Sequence, residues 1–128
     1  MIKKFIIVDD DPFNNILCDM TIEMALNTAD VTSFTKPADG LAHILLAYSK
    51  EMEPAILLLD INMPLMNGWE FMDAFAKYPE SVKKQLTVYI VSSSVDPRDK
   101  EKAAGNINIK GFISKPVEVE MIQQLAGV

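Results

Sequence analysis

The pattern of apolar and polar positions predicts alternating strands and helices along the whole chain. Short apolar runs are separated by longer segments in which apolar residues recur at helical spacing, which is typical of a parallel sheet with helices on both faces. The runs predicted to be strands span residues 5–8, 31–34, 55–59, 88–91 and 112–113. The first, third and fourth are almost entirely apolar, as buried central strands are. The pattern therefore predicts an α/β fold with five strands.

Five helices are predicted to follow these strands. Asp11 is predicted to cap the first helix with Pro12 at its first position, and Pro37, Gly68 and Pro97 mark the beginnings of the next three. One apolar stripe of the first helix consists of Phe13, Ile16, Leu17, Met20 and Met24. Stripes of this kind usually face the core. Most of the eight methionines fall on such stripes, so we expect them to fill the core.

Composition narrows the class of protein. A length of 128 residues suits one domain, so we expect a single domain over residues 1–128 with no output domain in this chain. The net charge of −6 disfavours direct binding of nucleic acid and favours protein partners. The lone Cys18 cannot form an internal disulfide, and no segment has the length or pattern of a signal peptide or a membrane span. We therefore expect a cytoplasmic protein without membrane insertion.

Polar side chains that could bind a ligand or take part in a reaction follow four of the five predicted strands. The first run is followed by Asp9, Asp10 and Asp11, and the third by Asp60. The fourth run is followed by Ser92, and the fifth by Ser114 and then Lys115. Ligands of open parallel sheets bind at the carboxyl ends of the strands, where the strand order reverses. Each residue alone could be a turn or cap residue. Together they predict a site that gathers carboxylates, a hydroxyl and an amine at one edge of the sheet.

Carboxylates that gather in this way need a positive partner. Two of them about 4 Å apart repel by roughly 4 kcal/mol at an effective dielectric constant near 20. Oxygen ligands of this kind suit Mg²⁺, with Asp9 and Asp10 as metal ligands and Lys115 as a second positive charge. Asp60 stands alone after a central strand and is the predicted phosphoryl acceptor, and Ser92 is predicted to hydrogen-bond the attached group.

These residues resemble those of the receiver domains of two-component response regulators. The likeness covers the acidic pair Asp9 and Asp10, the loop of residues 60–68, Ser92, and the lysine-proline pair at 115 and 116. It implies a flavodoxin-like (βα)5 three-layer sandwich with a parallel five-stranded sheet in the order 2-1-3-4-5. The bond between Lys115 and Pro116 is then expected to be cis.

The same resemblance implies a mechanism. Mg²⁺ is expected on Asp10, Asp60 and the backbone carbonyl of Asn62, with Asp9 reaching the ion through water. Phosphoryl groups are expected from a phosphohistidine on a sensor histidine kinase or phosphotransfer protein, or slowly from small phosphodonors. Phosphorylation is expected to draw Ser92 inward and to let Phe112 move, which changes the surface of the fourth predicted helix, the fifth strand and the last helix for an unknown downstream protein.

Other interpretations of the same sequence stay open. The fold could serve as an interaction module that is never phosphorylated. The acidic triplet superficially resembles that of aspartate-nucleophile phosphatases, although the chain is short and has no room for their cap domain. Flavin mononucleotide binding is less favoured, because three acids occupy the loop that would have to hold a phosphate. We expect a phosphoacceptor signalling domain and not an enzyme.

Overall fold

The computed structural model describes all 128 residues and contains one parallel sheet. Its strands are β1 (Lys4–Val8), β2 (Asp30–Phe34), β3 (Ala55–Leu59), β4 (Leu86–Ser92) and β5 (Gly111–Ser114). They lie in the order β2-β1-β3-β4-β5, and every neighbouring pair is parallel. All five predicted strands are present, and the observed strands are equal to the predicted ones or up to three residues longer. The predicted flavodoxin-like order is confirmed.

Six helices connect or follow the strands. They are α1 (Pro12–Ala25), α2 (Pro37–Ala47), α3 (Gly68–Ala76), α4 (Glu80–Lys83), α5 (Pro97–Ala104) and α6 (Val119–Ala126). Asp11 caps α1 by accepting a hydrogen bond from the Phe13 amide, and Pro12 is the first helical residue, both as predicted. The one-turn helix α4 was not predicted, because four residues are too few to show a helical period. The fourth predicted helix is therefore α5, and the last is α6.

The two faces of the sheet bury separate apolar clusters. Side chains alternate along each strand, so Phe5 and Ile7 point to one face and Ile6 and Val8 to the other. Helices α1 and α6 cover the first face, and α2 and α3 cover the second with α5 at its edge. All residues of β3 are buried, because it lies in the centre of the sheet. This three-layer arrangement places the order reversal between β1 and β3, where ligands are expected.

The prediction that the apolar stripe of α1 faces the core is wrong. Phe13 is 62% exposed and Met24 is 75% exposed, and Ile16, Leu17 and Met20 are also exposed. The side of α1 that faces the sheet carries Asn15 and Ile22 instead. A helical period identifies which residues share a face but not which way that face points. Met20 and Met24 are therefore surface residues, whereas Met63 and Met72 are buried as expected.

None of the six helices combines the length and the hydrophobicity that crossing a membrane requires.

Candidate functional site

The main chain brings the predicted site residues to one edge of the sheet. Asp9 follows β1 and its amide donates to the Phe34 carbonyl, while Asp60 follows β3 and its amide donates to the Val8 carbonyl at 2.9 Å. In the same way the Lys115 amide donates to the Ser92 carbonyl at 2.9 Å. These bonds continue the ladders of the sheet by one step. The main chain of the residues after β1, β3 and β5 is therefore positioned by the sheet, as that of the strand residues is.

Three carboxylates converge between the ends of β1 and β3. One oxygen from each of Asp9, Asp10 and Asp60 lies within 4.8 Å of the other two. Asp9 and Asp60 are buried, with 6% and 8% of their surface exposed, and Asp10 is half-buried. Asp11, the third acid of the triplet, is exposed and serves as the cap of α1. The predicted cap role of Asp11 is confirmed, and Asp9 and Asp10 lie together with Asp60.

Lys115 supplies a positive charge to the cluster. Its Nζ lies 2.9 Å from Asp9 Oδ2 and 3.5 Å from Asp60 Oδ1. Burial, the largest influence, lowers the pKa of Lys115, but its hydrogen bond to Asp9 and the charge of Asp60 outweigh burial and raise the pKa overall. Lys115 therefore stays protonated at neutral pH. The bond between Lys115 and Pro116 is cis, which confirms the expectation.

The surroundings of Asp60 shift the pKa of its carboxyl group. Burial raises the pKa of Asp60, Lys115 lowers it in part, and the charge of Asp9 raises it further. The net pKa is higher than that of an ordinary aspartate. Ionisation of Asp60 is therefore less favourable in the folded chain than in water, and a cation that offsets the charge of the carboxylate is favoured.

This raised pKa predicts a pH-dependent stability difference. A carboxyl whose pKa is raised by folding favours the folded state below its unfolded pKa and loses that contribution as the pH rises through its folded pKa. In EDTA at pH 7, Asp60→Asn should therefore unfold at higher urea than wild type, and Lys115 keeps Asp9 as its partner in the variant. The difference should shrink as the pH falls through the acidic range. A difference that grows on acidification would contradict this assignment.

Ser92 and Phe112 lie on the neighbouring strands β4 and β5, two positions apart in register. Ser92 is fully buried, and its Oγ accepts a hydrogen bond from the Ser94 amide at 3.0 Å but donates none to the protein. The hydroxyl proton is thus free for a further acceptor. Phe112 in β5 is half-buried and pairs with Ile90 of β4, two residues before Ser92. The Lys100 ammonium lies 5.8 Å from the centre of the Phe112 ring.

The loop after Asp60 returns tightly to its own start. The Gly68 amide donates to the Ile61 carbonyl at 2.8 Å, and a Cβ on Gly68 would lie 2.6 Å from the Asp60 carbonyl oxygen. Only glycine fits there without moving the backbone that carries Asp60. Asn62 lies in this loop, two residues beyond Asp60, and is exposed.

Asn15 is a site residue that the sequence pattern did not reveal. Its side chain is buried on the sheet side of α1, and Nδ2 donates to the Asp9 carbonyl at 3.0 Å. It ties the first turns of α1 to the acidic loop. Asn15 shares the inward face of α1 with Ile22, and a polar residue on an inward face indicates a specific role. The sequence alone did not show which face of α1 points inward.

A cleft of about 490 Å³ runs from the carboxylates along α1. Asp9, Asp60 and Lys115 line one end, and Leu17 and Met24 are among the apolar side chains farther along. Cys18 also lines the cleft. Burial, followed by the charge of Asp9, raises the pKa of the Cys18 thiol to about 12, so the thiol stays protonated and is a poor nucleophile.

Comparison with known proteins identifies the family of this chain. The model of the response regulator receiver domain matches residues 5–126, which is nearly the whole chain. The chain belongs to the response regulator receiver family. Receiver domains are signalling domains that are phosphorylated by histidine kinases, pass signals to downstream partners and bind Mg²⁺ at an acidic pocket.

Individual relatives agree with this assignment. The receiver is 33% identical over 88 residues to the nitrate/nitrite response regulator protein NarL of Escherichia coli K12, and the match covers 69% of this chain and 38% of NarL. A two component response regulator from Cytophaga hutchinsonii superposes with a TM-score of 0.89 at 31% identity, covering 98% of this chain and 95% of that one. A receiver protein from Dyadobacter fermentans gives 0.85 at 29% identity, covering 95% and 93%.

The donor set of this receiver fits Mg²⁺. The ion prefers oxygen ligands, usually binds one or two protein carboxylates and keeps several waters. The half-buried Asp10 and the buried Asp60 offer two carboxylates, and Asp9 is hydrogen-bonded to Lys115. The pKa of Asp60 is raised mainly by burial and further by the charges of Asp9 and Asp10, so a divalent cation beside it would favour the ionised carboxylate.

Proposed function

We propose that this receiver accepts a phosphoryl group on Asp60 in the presence of Mg²⁺ and signals the change through α5, β5 and α6. The observation that carries the proposal is the meeting of three carboxylates within 4.8 Å beside the Lys115 ammonium. Phosphoryl transfer to a carboxylate requires an acceptor carboxylate, a cation site and a fixed positive charge. We infer that this takes place in the cytoplasm.

Each side chain has a separate part in the proposed transfer. An Asp60 oxygen attacks the phosphorus of a phosphohistidine, the P–N bond breaks and the imidazole leaves. Asp10, Asp60 and the Asn62 carbonyl would hold Mg²⁺, with Asp9 acting through water, and the ion would neutralise charge on the phosphoryl oxygens. Lys115 lies 3.5 Å from Asp60 Oδ1, so its ammonium can pair with an attached phosphoryl group. Ser92 can donate its free hydroxyl proton to the same group.

The proposed signal begins at Ser92. When Ser92 turns toward the phosphoryl group it leaves space beside β5, and Phe112 can occupy that space. A nearly complete reversal of two conformations requires about 5.5 kcal/mol of differential stabilisation. New charge-assisted hydrogen bonds from Ser92 and Lys115 to the phosphoryl oxygens would be the sources of that energy here.

The exposed apolar face of α1 supports a protein phosphodonor. Phe13, Leu17, Met20 and Met24 are exposed on one side of the helix, and the last three also line the cleft that ends at Asp60. A donor that brings a phosphohistidine to Asp60 can cover this face as it docks. An apolar helix face of this kind can dock against an apolar surface of the partner.

The proposal is tested with two phosphodonors. From acetyl phosphate and Mg²⁺, wild type and Leu17→Glu should each gain one phosphoryl group at the same rate, measured by intact mass. From a panel of autophosphorylated histidine kinases, Leu17→Glu should accept the group at least tenfold more slowly than wild type. A wild-type chain that stays unmodified with every donor would overturn the function, and equal rates for both chains with the kinases would overturn docking on α1.

A further inference from the structure

A chain of hydrogen bonds joins Ser92 to the first turn of α5. The Ser94 amide donates to Ser92 Oγ at 3.0 Å, and the Ser94 hydroxyl donates to Asp99 Oδ2 at 2.6 Å. Ser94 Oγ also accepts from the Asp96 amide at 3.2 Å. Ser94 is thus bound on one side to the residue that would meet the phosphoryl group and on the other side to α5.

The bond between Ser94 and Asp99 is the strongest in this chain of contacts. It is short, its acceptor is a carboxylate, and both residues are half-buried. Charge-assisted bonds between a hydroxyl and a carboxylate are about twice as strong as neutral ones, and partial burial strengthens them further. Asp99 is also the third residue of α5, so a shift of Ser94 displaces the beginning of the helix.

Helix α5 has few other attachments. Among its eight residues only Ala103 is buried. Its remaining contacts with the fold include two lysine ammonium groups over aromatic rings, Lys102 at 5.0 Å from Trp69 and Lys100 at 5.8 Å from Phe112. A helix with one buried side chain is held mainly by such polar contacts. The Ser94–Asp99 bond is therefore a large share of what sets its position.

We propose that Ser94 and Asp99 form a latch that holds Ser92 and α5 in the unphosphorylated arrangement. This inference rests on the proposed function. To turn toward a phosphoryl group, Ser92 Oγ must leave the Ser94 amide or pull Ser94 with it, and Asp99 keeps Ser94 in place. Neither Ser94 nor Asp99 touches the reacting atoms, so both are positioning residues. The latch lowers the affinity of the site for the phosphoryl state and couples its release to movement of α5.

The test is the affinity for beryllofluoride in the presence of Mg²⁺, followed through the fluorescence of Trp69, the single tryptophan. Ser94→Ala and Asp99→Ala should each bind about tenfold more tightly than wild type, because more of the protein is already in the competent state. The double variant should bind no more tightly than either single variant, because both substitutions remove the same bond.

Asp96→Ala is the matched control. The Asp96 side chain caps the same helix by accepting from the Arg98 amide and has no hydrogen bond to Ser94. This variant should lower the stability of the protein and leave the beryllofluoride affinity unchanged.

Three results would overturn the latch. The first is that Ser94→Ala and Asp99→Ala bind beryllofluoride with affinities within twofold of wild type. The second is that the gains in affinity add in the double variant. The third is an equal gain in Asp96→Ala, which would mean that any loosening of α5 acts alike. A wild-type chain that binds no beryllofluoride would overturn the proposed function together with the latch, so the two failures are distinguishable.

Discussion

Asp60→Asn protein is expected to gain no phosphoryl group from acetyl phosphate and Mg²⁺ under conditions in which wild type gains one. The amide has the shape of the carboxylate but lacks its anionic oxygen, so the nucleophile is lost while the packing around it is kept. Lys115 retains its 2.9 Å bond to Asp9, so the lysine ammonium stays beside the remaining carboxylates. Intact mass spectrometry of both proteins over one time course measures the effect.

Asp11→Asn is the matched control for this loss. Asp11 is the exposed neighbour of the cluster and caps α1 through one carboxylate oxygen, which the amide oxygen of asparagine replaces. This variant should gain phosphate as wild type does. An equal gain of phosphate in wild type and Asp60→Asn would show that another residue is the acceptor.

Mg²⁺ is expected to stabilise the wild-type chain and to have no such effect on Asp10→Asn. A ligand that binds only the folded state adds about 2.7 kcal/mol to the free energy of unfolding at one hundred times its dissociation constant. Asp10 is the half-buried acid of the cluster that has no bond to Lys115, so its removal costs metal affinity without unpairing the lysine. Urea unfolding with Mg²⁺ and with EDTA at equal ionic strength measures the gain.

Asp11→Asn also serves as the control for stabilisation by Mg²⁺. Asp11→Asn should keep the full Mg²⁺ gain, since Asp11 lies outside the cluster. Stabilisation of Asp10→Asn equal to that of wild type would place the ion elsewhere. A wild-type chain whose stability does not respond to Mg²⁺ would remove the metal from the proposed mechanism.

The sequence contained most of what determines the fold. The central strands are local apolar runs, whereas the edge strand β2 contains Thr32 and Ser33. Strand β3 could be recognised from its composition because a strand buried on both faces has no polar positions. The chemistry at the strand ends was also local, since Asp60 directly follows β3 and Ser92 ends β4. The strand order itself came from the family resemblance, because an apolar run does not specify its neighbours.

The features that the sequence did not reveal depend on orientation or on distant contacts. The stripe of α1 has the same period whether it faces the core or the solvent, so its exposure was seen only in the folded chain. The sequence predicted Lys115 beside the carboxylates, but that its hydrogen bond goes to Asp9, 106 positions away, was seen only in the folded chain. The bond between Ser94 and Asp99 depends on the path of a short loop, and no periodic pattern specifies such a path.

Peptide mapping of the phosphorylated wild-type protein tests the central claim most directly. After reaction with acetyl phosphate and Mg²⁺, tandem mass spectrometry identifies the residue that carries the added group. We expect the phosphoryl group on Asp60 alone. A group found on Asp9 or Asp10, with Asp60 unmodified, would contradict the account.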